Sequence, residues 1–165
     1  MDFNDILFKE LDTETFEKGF MDIFELSNDF FNEYSNYNIS LFGIDIIKEM
    51  DIKNYFQTFV NNDNKKAFIA IFNNKIIGYI TFYIKTQPNF WIVKKIGDIS
   101  GLMVNKYYRN KGIGTKLIKV AIEYFRNNGI KYYEVFTSIN NKDGISLYKK
   151  CGFNELYTTL YGEVK

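Results

Sequence analysis

The stretch KAFIAIFNNKIIGYITFYI, residues 66–84, leaves a chain of this kind few options. Two runs rich in Ile, Phe and Tyr meet at Asn73-Asn74. Asparagine is among the few residues that tolerate the positive φ a two-residue hairpin turn demands. An antiparallel hairpin is therefore expected over this stretch. After a loop around Pro88, the only proline, WIVKKIGDISGLMV (residues 91–104) reads as a further long strand or two, with Gly101 able to host a bulge.

The flanking segments carry other periods. ILFKELD, residues 6–12, reads as a first strand. Asp12 and Thr13 offer an N-cap for a helix in which Phe16, Phe20, Phe24 and Phe31 recur at roughly helical spacing. A second helix is expected from about Ile44 to Val60, amphipathic through Ile47, Met50, Tyr55 and Phe59. A third runs from about Gly112 to Asn128, with Ile113, Leu117, Ala121 and Phe125 on one face and Gly129 closing it. KYYEVFTSI (131–139) reads as a strand, KDGISLYKK (142–150) as a short helix and FNELYTTLYGEV (153–164) as a last strand. The predicted order β, α, α, β, β, β, α, β, α, β describes an α/β sandwich with a mixed sheet. With 165 residues and no linker-like or repeated segment, one domain over 1–165 is expected.

A single cysteine, Cys151, forms no internal disulfide, which suits a reducing compartment. The opening MDFNDILFKELD lacks the basic and apolar regions of a signal peptide, and no apolar run approaches the ~20 residues that span a bilayer. A cytoplasmic protein without membrane partners is expected. The formal charge of +1 conceals a split: residues 1–64 hold 14 acids and four lysines, and residues 65–165 hold six acids and 17 Lys and Arg. Such asymmetry suggests two binding surfaces of opposite preference, or simply mutual attraction between the halves.

Most telling is VNKYYRNKGIGTKL, residues 104–117, where an apolar strand gives way to the third helix. Helix starts usually carry a Ser, Thr, Asp or Asn cap and acids in the first turn. Here neither is present, and cations and glycines take their place. Free N–H groups at the positive end of the helix dipole make an anion site, and phosphate is the usual occupant. Gly112 and Gly114 admit a ligand close to the backbone, while Arg109 and Lys111 add charge. A dinucleotide fingerprint would need Gly at 117, where Leu117 stands, and a P-loop needs Gly-Lys-Ser/Thr, where Gly114-Thr115-Lys116 stands. Both nucleotide motifs fail.

The segment Arg109-Asn110-Lys111-Gly112-Ile113-Gly114 resembles the central R/Q-x-x-G-x-G/A motif of the GCN5-related N-acetyltransferases, the GNAT family. Asn141, followed by Leu147-Tyr148-Lys149-Lys150-Cys151-Gly152-Phe153, resembles that family's next motif at the expected separation. The resemblance covers residues 75–160 well and residues 1–64 only in element order. It implies a GNAT-like fold, a mixed and mostly antiparallel central sheet flanked by helices in three α/β/α layers. It implies acetyl-coenzyme A (acetyl-CoA) as co-substrate and a primary amine as acceptor, whether small molecule, polyamine, aminoglycoside or peptide N-terminus. The backbone of Leu102, Met103 and Val104 would then pair with the pantetheine arm like an added strand. Arg109, Asn110, Lys111, Gly112, Ile113, Gly114 and Thr115 would hold the pyrophosphate. Asn141 would contact the pantetheine or stabilise the splay between strands, and Gly144 would leave room for the same arm.

Transfer to an amine requires loss of a proton from nitrogen and protonation of the departing sulfur. By the same resemblance Tyr148 is the general acid, lying also against the cofactor, and its alternative role is packing. With no histidine in the chain, the base is sought among carboxylates, and Asp98, six residues before Val104, stands where relatives often carry a catalytic Glu. Asp98 acts directly, acts through water, or is only a polar residue at a strand's beginning. Glu134 is expected to face solvent. Cys151 has no activating neighbour in sequence, which favours direct transfer in a ternary complex over an acyl-enzyme. No metal is implied. The alternatives are a non-catalytic CoA-binding sensor of the same fold and, ranked last, nucleic-acid binding by the basic half, which the acidic half would oppose. A homodimer is the oligomer to test for.

Overall fold

The computed structural model describes residues 2–37, 43–160, 162 and 164. Along them run β1 (Leu7–Glu10), α1 (Thr13–Tyr37), α2 (Glu49–Gln57), β2 (Lys65–Phe72), β3 (Lys75–Thr86), β4 (Lys95–Val104), α3 (Ile113–Asn127), β5 (Tyr133–Val135) and α4 (Lys142–Lys150). Single 3-10 turns occupy Phe3–Asp5 and Lys106–Tyr108. The sheet order is β1-β2-β3-β4-β5, antiparallel throughout except for the β4/β5 pair, which is parallel.

The Asn73-Asn74 turn forms as its chemistry demands, with φ of 49° and 60°. The expected irregularity near Gly101 is also present. Thr81 pairs with Gly101 but Phe82 with Ile99, so Ser100 is the extra residue of a bulge. β5 is only three residues long, because β4 and β5 share just the rungs Gly97–Tyr133, Asp98–Glu134 and Ile99–Val135 before parting.

Two cores sandwich the sheet. On one face Phe16, Ile23 and Leu26 of α1 and Ile52 and Phe56 of α2 pack on Ala67, Ile69, Tyr79 and Met103. On the other, Ile113, Leu117, Ile118, Ala121 and Phe125 of α3 pack on Ile80, Phe82, Ile99 and Val104. The face expected for the third helix is therefore the buried one. The acidic first 64 residues supply the helices of one face, and the basic remainder supplies those of the other.

α1 begins where Asp12 predicts. The Asp12 carboxylate accepts the Thr15 N–H at 2.7 Å, and its carbonyl accepts that of Phe16 at 2.9 Å. Lys9 and the Thr15 N–H together hold the Asp12 carboxyl down at about 2. A depressed carboxyl stabilises the fold above its unfolded pKa, and that contribution is lost as pH falls toward about 2. Asp12→Ala should cost about 1 kcal/mol, or roughly 2–4 °C in Tm, and the cost should shrink on acidification in thermal melts.

Three expectations are corrected. α2 is shorter than predicted, because Lys48 is extended and the Asp51 carboxylate accepts its N–H, fixing the helix start at Glu49. Its buried face is Ile52 and Phe56, while Met50 and Tyr55 are 62% and 41% exposed. The strand expected over 131–139 survives only as Tyr133–Val135. The final strand over 153–164 is not formed among the described residues, with 161 and 163 lying outside them. Leu156, Tyr157 and Leu160 are exposed and pair with nothing in the sheet.

Candidate active site

Past Ile99, β4 remains bonded only to β3, and a gap opens on its β5 side. The Asn105 N–H donates to the Ile77 carbonyl at 2.9 Å. By the alternation of a strand, Met103 then also directs its peptide groups toward β3, whereas Leu102 and Val104 direct theirs into the gap. Of the three residues expected to pair with a pantetheine arm, Leu102 and Val104 are suitably turned. Met103 is not, because its backbone is spent on the ladder and its side chain on the α1 core.

At the mouth of this gap α3 starts as anticipated. Gly112 caps it in the left-handed region at φ +82°, no side chain caps it, and the first turn holds no acid. Lys116 makes the first intrahelical bond, to the Gly112 carbonyl, so the N–H groups of Ile113, Gly114 and Thr115 point outward unpaired by it. A Cβ at Gly114 would lie 3.0 Å from the Leu147 side chain, so the bare position lets α3 and α4 approach. Asn110 also has positive φ, 61°, and Lys111 lies over the Tyr108 ring with its ammonium 3.4 Å from the Tyr107 carbonyl. These groups fit a phosphate.

Arg109 is disposed otherwise. Its Nε donates to the Val104 carbonyl at 2.8 Å and its Nη2 to Glu33 of α1 at 2.6 Å. Its guanidinium thus anchors the loop to β4 and α1. Asn141 caps α4, accepting the Gly144 N–H at 3.0 Å while donating to the Thr137 hydroxyl at 3.0 Å. Both bonds lie within the segment that joins β5 to α4, so what Asn141 fixes here is the start of α4. Gly144 has a nearer reason than room for a ligand, since a Cβ there would fall 2.4 Å from the Asn141 amide.

The segment Tyr148 to Phe153 has a compact physical explanation. Gly152, at φ +94°, ends α4 with paired bonds, Phe153 N–H to Tyr148 carbonyl at 3.1 Å and Gly152 N–H to Lys149 carbonyl at 3.0 Å. Such a helix end brings the residue after the glycine onto the last turn. The Phe153 and Tyr148 rings accordingly lie 5.4 Å apart. Ring contacts continue from Phe153 to Tyr133 (5.0 Å), to Phe125 (6.0 Å) and to Phe82 (5.3 Å), so Tyr148 is braced against the core. Its hydroxyl makes no hydrogen bond among the described residues and keeps some contact with solvent, since no fully buried side-chain polar atom there is left unpaired. Burial, with the Cys151 sulfur close by, pushes its pKa up to about 12. Burial likewise raises the Cys151 thiol.

Asp98 belongs to the opposite face of the sheet, with Tyr83 and Tyr79, toward α1 and α2. Its pKa is raised, by burial first and by the neighbouring Glu134 carboxylate, against the pull of Lys85 and a hydrogen bond from Tyr83. Glu134 does not simply face solvent, for it pairs with Lys85 at 3.0 Å beside Asp98, which is 3.9 Å from the same ammonium. Next to them the bulged Ser100 donates to Thr81, and the Tyr55 hydroxyl lies 3.2 Å from both side chains. Sequence reasoning placed Tyr55 in the core. Its polar end meeting a strand bulge left no mark on the helical period.

Two candidate groups thus come from opposite faces, and the gap between β4 and β5 is where the sheet is open between them. The family model of the Acetyltransferase (GNAT) family matches residues 20–153. The chain belongs to the GNAT family. Among GNAT relatives, the uncharacterized N-acetyltransferase MJ1207 of Methanocaldococcus jannaschii is 31% identical over 101 residues, 61% of this chain and 44% of the relative. This chain therefore matches less than half of MJ1207's length. N-alpha-acetyltransferase 30 of Schizosaccharomyces pombe is 29% identical over 66% of this chain and 70% of its own. The aminoglycoside N-acetyltransferase AAC(6')-Iy, solved in complex with CoA, superposes with a TM-score of 0.74 at 15% identity, covering 97% of this chain and 95% of its own. The five-stranded mixed sheet with helices on both faces is the GNAT architecture. Among the described residues no helix is long and apolar enough to cross a membrane, and no cluster of His, Cys, Asp or Glu is arranged to hold a metal.

Proposed function

We propose that this GNAT chain is an acetyl-CoA-dependent N-acetyltransferase acting on a primary amine by direct transfer. The observation that carries the reading is the uncapped, acid-free start of α3 at the mouth of the β4/β5 gap, with Tyr148 on one side of the sheet and Asp98 on the other. Binding of CoA by AAC(6')-Iy supports the donor. In this reading the Leu102 peptide groups and the Val104 N–H bond the pantetheine amides, the Val104 carbonyl being held by Arg109, and Lys111 with the N–H groups of Ile113, Gly114 and Thr115 holds the pyrophosphate.

The acceptor arrives protonated and must lose a proton. Asp98 takes it, directly or through water. The freed nitrogen attacks the thioester carbonyl carbon, and as the C–S bond breaks the Tyr148 hydroxyl donates a hydrogen bond to the departing sulfur, while the nitrogen's second proton passes to solvent and the sulfur leaves as a thiolate that water reprotonates. Cys151 stays a thiol under its raised pKa, which favours transfer without an acyl-enzyme. The Asp98–Glu134 pair and the acidic α1/α2 side favour a cationic acceptor. Small amines, polyamines, aminoglycosides and peptide N-termini all carry that charge. The names of AAC(6')-Iy and N-alpha-acetyltransferase 30 support the last two classes.

Thermal unfolding with acetyl-CoA, ATP and NAD tests the donor. A ligand at 100 times its Kd adds about 2.7 kcal/mol, roughly 5–10 °C for a chain of this size. A shift with acetyl-CoA alone is expected, followed by amine-dependent thiol release. No shift would end the donor reading, and a shift without release from any amine class would leave a CoA-binding sensor. Asp98→Asn should lower kcat about 100-fold and abolish the acid limb of the pH profile. Because burial raises the Asp98 pKa, that limb should lie above the ordinary carboxylate range, with activity lost as pH falls through it. An unchanged limb in the variant would remove Asp98 from the role.

A further inference from the structure

The last turns of α1 touch both walls of the gap. Glu33 reaches Arg109 in the loop after β4, at 2.6 Å. Four residues on, the Tyr37 carbonyl accepts the Ser138 hydroxyl at 3.0 Å and the Asn140 amide at 2.9 Å, in the loop after β5. The helix is already held to the sheet by Phe16, Ile23 and Leu26 in its earlier turns. Its end therefore serves as a brace across the place where the two strands part. Arg109, expected from the sequence to hold the pyrophosphate, has its Nε on the Val104 carbonyl and an Nη on Glu33.

We propose that Glu33 is a positioning residue for the donor. By holding Arg109 against the end of β4 it fixes the Asn110–Gly112 turn, and with it the direction of the free N–H groups that open α3. This rests on the reading of α3 as the pyrophosphate site. The carboxylate is half-exposed, so its removal leaves no buried charge behind and the fold should survive.

The test compares CoA with pantetheine, which lacks the pyrophosphate, by calorimetry on the wild type and on Glu33→Gln, with the ligand-free Tm as a control on folding. CoA binding about tenfold weaker in Glu33→Gln, pantetheine binding unchanged and kcat at saturating donor unchanged are the expected results. Glu33→Asp, which keeps the charge on a shorter stem, should fall between. The double variant Glu33→Gln/Arg109→Gln should lose little more than Arg109→Gln alone, since the two act as one unit. Equal affinity for CoA in Glu33→Gln, or equal weakening of both ligands, overturns the proposal. Tighter CoA binding overturns it too, making Glu33 a competitor for Arg109. If the wild type binds neither ligand, the donor reading itself is lost.

Discussion

In Tyr148→Phe, kcat should fall about 100- to 1,000-fold with CoA affinity and Tm unchanged. The ring contact with Phe153 and the helix end at Gly152 do not involve the hydroxyl, so the substitution removes one oxygen and little else. With its phenol pushed up to about 12, Tyr148 is a poor donor of a whole proton. Against a thiol at about 8.5, complete transfer is uphill. The hydroxyl is then most effective as a hydrogen bond that strengthens as negative charge gathers on sulfur. Loss of one such donor costs the factor given above. Single-turnover kinetics would read it directly. A decrease below threefold, or a parallel loss of CoA binding, would return Tyr148 to a packing role.

The second large effect concerns Gly112. At φ +82° any side chain there is strained by about 1–2 kcal/mol, although Asn is among the residues that accept this region best. A Cβ would meet the Phe3 ring at 3.4 Å, an ordinary contact, so sterics are not the issue. Gly112→Asn and Gly112→Asp differ by little except charge. A carboxylate about 4 Å from a phosphate costs about 4 kcal/mol at an effective dielectric of 20, before screening by salt. Gly112→Asn should therefore bind CoA within about tenfold of the wild type, and Gly112→Asp more than about 100-fold less tightly. Titrations in which the two variants behave alike would mean that backbone geometry, and not anion binding, is what Gly112 provides.

Most of the architecture could be read from residue patterns whose causes are local. The Asn73-Asn74 turn, the Asp12 cap and the Ile113, Leu117, Ala121 and Phe125 face of α3 all formed where short-range chemistry placed them. The failures had longer-range causes. Nothing within KYYEVFTSI says that its partner strand is committed elsewhere after three rungs. FNELYTTLYGEV has a strand's composition, yet among its described residues it finds no partner in the sheet. In the site, the uncapped start at Gly112 was legible because helix starts have known chemistry, whereas the close approach of Leu147 to Gly114 was not. The engagement of Arg109 by Glu33 joins residues 76 apart in sequence, and no period or motif encodes it. The same holds for Glu134, whose neighbour Lys85 lies 49 positions away.

The directions of Leu102, Met103 and Val104 divide labour between side chain and main chain. Met103 and Val104 send their side chains to opposite cores, while the peptide groups turned into the gap belong to Leu102 and Val104. A ligand met there by amide groups is recognised without reference to which side chains occupy these positions. Substitution at 103 and 104 should accordingly register as altered packing on one side of the sheet or the other. The wall facing the ligand stays chemically constant through such changes, since every residue but proline brings the same amide.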